Sequence, residues 1–177
     1  MALEQAGAPE AVDALLQAIR DRDREVRKAV ALALAHTNDE RAVPPLLNML
    51  RTREEDLIEV AGKALAGLGM HSVSYLIQML NEPDSPIQEI ATRILVQVGP
   101  PAVMTLTSLL RDGRPPANRL AAHILGEIKD PRAVWPLVSG LQNSEITIAC
   151  VQALGKISDQ RAVKPLLELL TTSFSET

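Results

Sequence analysis

The stretch Asp39-Glu40-Arg41-Ala42-Val43-Pro44-Pro45-Leu46-Leu47-Asn48-Met49-Leu50 decides the fold, because it joins a turn motif to an apolar stripe and returns along the chain. Val43, Leu46, Leu47 and Leu50 are spaced i, i+3, i+4, i+7, which puts them on one face of a helix. The set recurs upstream as Val12, Leu15, Leu16, Ile19. Downstream it recurs as Val73, Leu76, Ile77, Leu80, then Val103, Leu106, Thr107, Leu110, then Val134, Leu137, Val138, Leu141, and finally Val163, Leu166, Leu167, Leu170. The leading valine returns after 31, 30, 30, 31 and 29 residues, and self-similarity at such a period marks a stacked-repeat architecture. Only Thr107 departs from the aliphatic set.

A second stripe follows each of the first five. It reads Val26, Val30, Ala33, Leu34, then Leu57, Ala61, Ala64, Leu65, then Ile87, Ala91, Ile94, Leu95, then Ala117, Ala121, Ile124, Leu125, then Ile146, Cys150, Ala153, Leu154. Alanine stands where the first helix has leucine, so neighbouring second helices can approach closely and are expected on the tighter, inner side of a curved stack. Thr52-Arg53-Glu54-Glu55 and Ser85-Pro86-Ile87-Gln88 read as capping boxes at helix starts. Pro45, Pro136 and Pro165 fall in the opening turn of first helices, where the missing N–H has no partner to lose.

The expected fold class is therefore all-α: a right-handed α-solenoid of antiparallel helix pairs, about five and a half repeats in a single domain over residues 1–177. Repeat boundaries fall near 8–37, 38–68, 69–98, 99–128 and 129–157, with a half repeat at 158–171. The last stripe, Leu166, Leu167 and Leu170, has no following helix, and Thr171 to Thr177 read as a frayed tail. Either this helix caps the stack, or the chain is cut from a longer solenoid with a structural role, or two copies meet end to end as a homodimer.

The strings Asp39-Glu40-Arg41-Ala42-Val43, Asp130-Pro131-Arg132-Ala133-Val134 and Asp159-Gln160-Arg161-Ala162-Val163 stand at one point of the repeat. With Val26-Arg27 and the triplets Ile124-Leu125-Gly126 and Ala153-Leu154-Gly155, they give a pattern that resembles the short HEAT repeat of the phycobilisome-lyase-like type. The third and fourth copies depart from it: Gly69-Met70-His71-Ser72-Val73 and Gly99-Pro100-Pro101-Ala102-Val103 lack the Asp and the Arg, and with them the turn ion pair. The resemblance implies a solenoid whose inner face holds a protein partner. It also implies relatives of several kinds: bilin lyase subunits, a metal-dependent hydroxylase, a DNA glycosylase relative and many scaffolds. Fold likeness does not choose among them.

Composition and motifs narrow the choice. The chain is 46% hydrophobic but 2% aromatic, with a net charge of -4, which speaks against a nucleic-acid surface and against a base-flipping pocket. Cys150 is the single cysteine, so no internal disulfide can form and a reduced, cytoplasmic setting is expected. Met1 to Gly7 show no signal peptide, and no membrane span is visible. His36, His71 and His123 are followed by Thr37, Ser72 and Ile124, not by glutamate, which sets aside the hydroxylase branch. Arg119, His123 and Glu127 lie on one helix, and two ligands on one helix do not build a metal site. No phosphate-binding glycine loop and no Ser, His and acid constellation is present, so neither an enzyme nor a cofactor or metal is expected.

Residues that the stripes leave outside form a ridge on the second helices. It runs Lys28, Leu32, His36, then Glu59, Lys63, Gly67, then Glu89, Arg93, Gln97, then Arg119, His123, Glu127, then Ile148, Gln152, Lys156. The ridge varies while the core does not, as a binding face on a constant scaffold would. Solvated i, i+4 pairs, Glu59 with Lys63 and Glu89 with Arg93, account for part of it equally well. Leu32 and Ile148 are candidate contacts because they are apolar at ridge positions. Trp135, one residue after Val134, either offers an aromatic anchor or covers the adjacent turn. Cys150 aligns with Val30, Ala61, Ala91 and Ala121 and reads as core filler. The expected function is a non-catalytic scaffold that binds another protein along the concave ridge. The alternative is a bilin-lyase-like, chromophore-handling subunit.

Overall fold

A computed structural model describes residues 9–52, 54–83 and 85–174. Eleven α-helices follow one another among the described residues, with no strand. They are α1 (Pro9–Ala18), α2 (Arg24–Leu34), α3 (Val43–Leu50), α4 (Glu55–Gly67), α5 (Met70–Leu80) and α6 (Ser85–Val98). Then come α7 (Val103–Asp112), α8 (Ala117–Ile128), α9 (Val134–Gly140), α10 (Thr147–Ile157) and α11 (Val163–Phe174). The fold is the all-α solenoid that the two stripes predict, divided into two compact units, Met1–Val98 and Gly99–Thr177.

In the first unit, α1 pairs with α2, α3 with α4 and α5 with α6, while α4 packs between α2 and α6. The leucines at the stripe positions disappear from solvent: Leu46 and Leu50 on α3, Leu57 and Leu65 on α4, Leu76 and Leu80 on α5, Leu95 on α6. Each such side chain contributes about 1.5–3 kcal/mol by burial. In the second unit, α7 pairs with α8 and α9 with α10, α8 packs on α10, and Leu106, Ile124, Leu125 and Leu137 form the same buried layer.

Small residues set the spacing of the second helices. A Cβ built on Gly126 of α8 would stand 2.8 Å from the Ala153 Cα of α10, closer than side chains come to backbone, so only glycine permits this approach. On Gly67 of α4 a Cβ would meet the Ala35 Cβ at 3.1 Å.

The turn motif is a staple. Asp39, Asp130 and Asp159 each accept a hydrogen bond from the backbone N–H two residues on, at 2.9, 2.8 and 2.9 Å, and each also holds the guanidinium of that same arginine. The arginine then reaches back one repeat. Arg132 donates to the Pro100 carbonyl at 3.0 Å, Arg161 to the Pro131 carbonyl at 3.1 Å, and Arg41 to the Asp13 carboxylate at 2.7 Å. In these turns the left-handed residue precedes the aspartate: Asn38, Lys129 and Ser158, at φ near 52–57°. Where the aspartate is missing, Gly69 and Gly99 stand in its place and themselves take φ of 53° and 68°, so the glycines turn the chain that the capped aspartates turn elsewhere.

Four expectations need correction. Val26 is 37% exposed and Ala33 half-buried, because α2 has no preceding second helix among the described residues to cover the side on which Leu57 and Ala64 are buried. The Thr52 box does not form: the residue preceding α4 is Glu54, and the Thr52 hydroxyl donates to the Met49 carbonyl of α3 instead. Gln88 does not turn back to the helix start but donates to the carbonyls of Leu80 and Glu82; the side chain of Ser85 lies outside the described residues. Finally, α11 continues through Phe174, so Thr171 begins no tail; residues 175–177, like Met1 to Gly7, lie outside the described part.

Gly126→Ala is expected to lower stability by about 1–3 kcal/mol, read as a shift of the thermal midpoint, because the backbone of Ala153 must move. The staples give a pH dependence. Arg161, through its side chain and then its backbone N–H, holds Asp159 down at about 2, and Arg132 and Arg41 likewise lower Asp130 and Asp39. An unfolded aspartate titrates near 3.9, so this stabilisation is fully present above about pH 4 and is lost as pH falls toward 2. The thermal midpoint should be flat from pH 7 to 5 and drop below 4. Asp159→Asn should lower it at pH 7 and flatten the acid limb.

Candidate functional site

Second helices carry the ridge because their alanine faces are turned inward, which leaves every fourth residue outside. Each ridge position read from the sequence is exposed except Lys28, which is half-buried. Leu32 and Ile148 are exposed aliphatics, 45% and 73% accessible.

Most of the charges are already neutralised within the chain. In the first unit Lys28 pairs with Glu25 at 3.1 Å and with Asp56 of α4 at 3.4 Å, while Arg24 pairs with Asp56 and Glu54. Hydrogen bonding to Arg24 first, and then to Lys28, holds Asp56 below the usual carboxylate range. Glu59 and Lys63 form the expected i, i+4 pair at 2.6 Å, and this lowers Glu59. Glu89 and Arg93 do not: at a hydrated position the pair gains little over water, and both head groups stand without a protein partner among the described residues.

These two side chains border a groove of about 630 Å³ between α4 and α6. Its floor is Ile58, Gly62, Ile90 and Ile94, with Glu55, Glu59, Lys63 and Gln97 completing the rim. Gly62 gives the floor its depth: it is buried, and even a methyl there would lie against Ile94 at 3.4 Å. Sequence reasoning found the rim and missed the floor. Ile58 and Ile90 belong neither to the stripe nor to the ridge, but their i, i+4 relation to Gly62 and Ile94 was the available signal.

In the second unit, Lys156 of α10 donates to Glu127 of α8, and His123 stands 3.9 Å from the same carboxylate. Hydrogen bonding to Lys156 keeps Glu127 below its ordinary range. That carboxylate therefore serves as a link between repeats. Arg119 and Gln152 are exposed on the same face, and their side chains have no hydrogen-bond partner among the described residues. Trp135 is 56% exposed, but it lies on α9, a first helix, so the fold does not bring it to the ridge. Its neighbour in repeat position is Met104 of α7, also exposed.

Cys150 is fully buried, and desolvation pushes its thiol up to about 11, which makes it a packing group with no thiolate character at neutral pH. Among the described residues no group of three or more His, Cys, Asp or Glu could hold a metal ion. No single helix there is long and apolar enough to cross a membrane.

Comparison with known proteins gives the following likenesses. A profile of the family described as HEAT repeats matches residues 1–66 and 73–148, and one described as PBS lyase HEAT-like repeat matches residues 148–172. A stretch of 65 residues is 43% identical to the bilin biosynthesis protein PecE of a Nostoc species, covering 36% of this chain and 26% of that protein. The match thus spans about a quarter of the relative's length. Among solved structures, the complex of CpcE and CpcF of phycocyanin lyase from Nostoc is 22% identical over 89% of this chain and 70% of that one, with a TM-score of 0.39. Human deoxyhypusine hydroxylase in complex with glycerol is 19% identical over 94% and 80%, with a TM-score of 0.45.

Proposed function

The chain belongs to the HEAT-repeat family, with a C-terminal stretch of the phycobilisome-lyase-like HEAT type, and from that premise we propose that it is a non-catalytic module holding another protein on its exposed second helices. The observation that supports this most is the α4/α6 groove. It offers an apolar floor, Ile58, Gly62, Ile90 and Ile94, beside two ridge charges, Glu89 and Arg93, that no group among the described residues satisfies. Such a furrow fits an apolar side chain of a partner helix or loop, with an acidic neighbour for Arg93 and a basic one for Glu89. The floor is held by packed helices, so little ordering accompanies binding.

A second reading, a bilin-lyase-like subunit that handles a chromophore or its acceptor, is favoured by the 43% identity with PecE over 65 residues. Against it stand the scarcity of aromatic walls in a chain that is 2% aromatic and the engagement of Lys28, Lys63 and Lys156 in ion pairs, which leaves only Arg93 and Arg119 of the ridge lysines and arginines for propionates.

The two readings separate by experiment. Affinity capture with mass spectrometry names the partner. Glu89→Lys with Arg93→Glu, both at exposed positions, should then preserve helicity and thermal midpoint while weakening capture about tenfold or more. Capture that survives this swap and also Ile58→Asp with Ile90→Asp would remove the groove as the site. Mixing the purified chain with a bilin should leave the bilin spectrum unshifted; a red-shifted band would favour the lyase-like reading.

A further inference from the structure

One charge order is repeated on both rims of the α4/α6 groove. Glu59 and Lys63 stand on α4, Glu89 and Arg93 on α6, each acid one helical turn before its base. The two pairs hold the same repeat position on successive second helices, so the glutamates lie level across the furrow and the cations do likewise one turn on. Glu55, exposed and without a protein partner among the described residues, lengthens the acidic end. No other second helix has this order at these positions among the described residues. Lys28 and Leu32 stand there on α2, Arg119 and His123 on α8, Ile148 and Gln152 on α10. Between the rims the floor is apolar, and its residues also recur one turn apart, Ile58 with Gly62 and Ile90 with Ile94. The furrow is thus directional: negative toward the starts of its two walls and positive further along them.

We propose that this groove takes an amphipathic α-helix of the partner protein, lying antiparallel to α4 and α6. Its acidic residues sit beside Lys63 and Arg93, and one turn later in its own sequence its basic residues sit beside Glu59 and Glu89. The assignment rests on the groove being the partner site and adds the kind of segment, its charge order and its direction. An extended strand needs free main-chain groups to pair with, and those of α4 and α6 are spent within their own helices. A proline-rich segment needs aromatic walls, and the lining holds no aromatic residue. A helix needs apolar positions at its own spacing, which both walls supply. Charge order sets the direction. Antiparallel docking asks for an acid followed four residues later by a base, the order that steadies a helix by itself; parallel docking asks for the reverse. The peptide dipoles of α4 and α6 point the same way, and a third helix between them is favoured opposite to both. The pair Glu59 and Lys63, at 2.6 Å, is exposed and worth little, so it opens to the partner at small cost. From Glu55 to Lys63 is eight residues, about 12 Å, so the contact covers a little over two turns.

Two short peptides of one composition serve as probes, each with a leucine stripe at i, i+3, i+4, i+7 on an alanine frame and held helical by the same outward-facing lactam bridge. One sets glutamates one turn before lysines, the other lysines before glutamates. Fluorescence anisotropy should show the acid-first peptide binding the 177-residue chain about tenfold or more tighter than the base-first one. Exchanging Glu59→Lys, Lys63→Glu, Glu89→Lys and Arg93→Glu together, all at exposed positions, should keep the circular dichroism spectrum and invert the preference. A bromoacetyl group on the N-terminus of the acid-first peptide should alkylate Gln97→Cys at one mouth and spare Pro86→Cys at the other, with the buried Cys150 silent. Equal or tighter binding of the base-first peptide, a preference that the exchanged chain retains, or alkylation at Pro86→Cys overturns the proposal. So does the failure of both peptides to bind. In that case capture of the protein partner decides the broader reading: if Ile58→Asp with Ile90→Asp abolishes it, the groove remains the partner site and holds a different segment. If acid-first binding survives Ile58→Asp with Ile90→Asp, the groove and the docked helix fall together.

Discussion

A helix pair of about 30 residues has more apolar surface than its two helices can hide from each other, and everything else in this protein follows from that shortfall. The first helix gives its Val, Leu and Leu stripe to its own second helix. The second helix then has to find cover for its remaining sides on the neighbouring second helices, which is why those sides are alanine and glycine. Gly126 against Ala153 is the extreme case, two helices so close that one methyl is too many. Where a neighbour is missing among the described residues, the same residue types stay in water, as Val26 shows at one end and Val163, Leu167 and Leu170 show at the other.

Electrostatics plays a secondary and mostly local part. The Asp and Arg of the turn motif close the turn and clip it to the previous repeat, and their pairing is what depresses the aspartates. On the second helices the charges chiefly connect one repeat to the next, Lys28 to Asp56 and Lys156 to Glu127. A residue that ties two repeats together has less to offer a partner, so the ridge is narrower in chemical terms than its sequence suggests. What remains available is concentrated at α4 and α6, around Glu89 and Arg93.

The architecture was legible because it rests on periodicity: one stripe with spacing i, i+3, i+4, i+7, repeated at a near-constant interval, can only be a stack of helices. Exposure of the ridge was legible for the same reason. The ends of helices were less so, because Thr52 and Gln88 each had several backbone carbonyls within reach and took those of the preceding helix. One helix at a time showed only the apolar spacings Ile58–Gly62 and Ile90–Ile94, not the groove that they line together. It is made by two helices from different repeats, and its depth comes from Gly62, a residue whose contribution is the absence of a side chain. Trp135 was readable for the same reason as the ridge: its place one residue after a first-helix valine puts it on the outer side of a first helix, and it is exposed there.

The packing of Cys150 carries a consequence for how such a sequence can drift. A Cβ added at Gly140 would sit 2.6 Å from the Cys150 sulfur, so the small residue on α9 and the sulfur on α10 divide one volume between them. Neither position is free to vary by itself. A lineage that enlarges residue 140 must shrink residue 150, and one that replaces the thiol by a longer aliphatic must keep glycine opposite. The cysteine is therefore retained or lost according to its neighbour's size, with its sulfur chemistry irrelevant to the outcome, and the two sites should change together over evolutionary time.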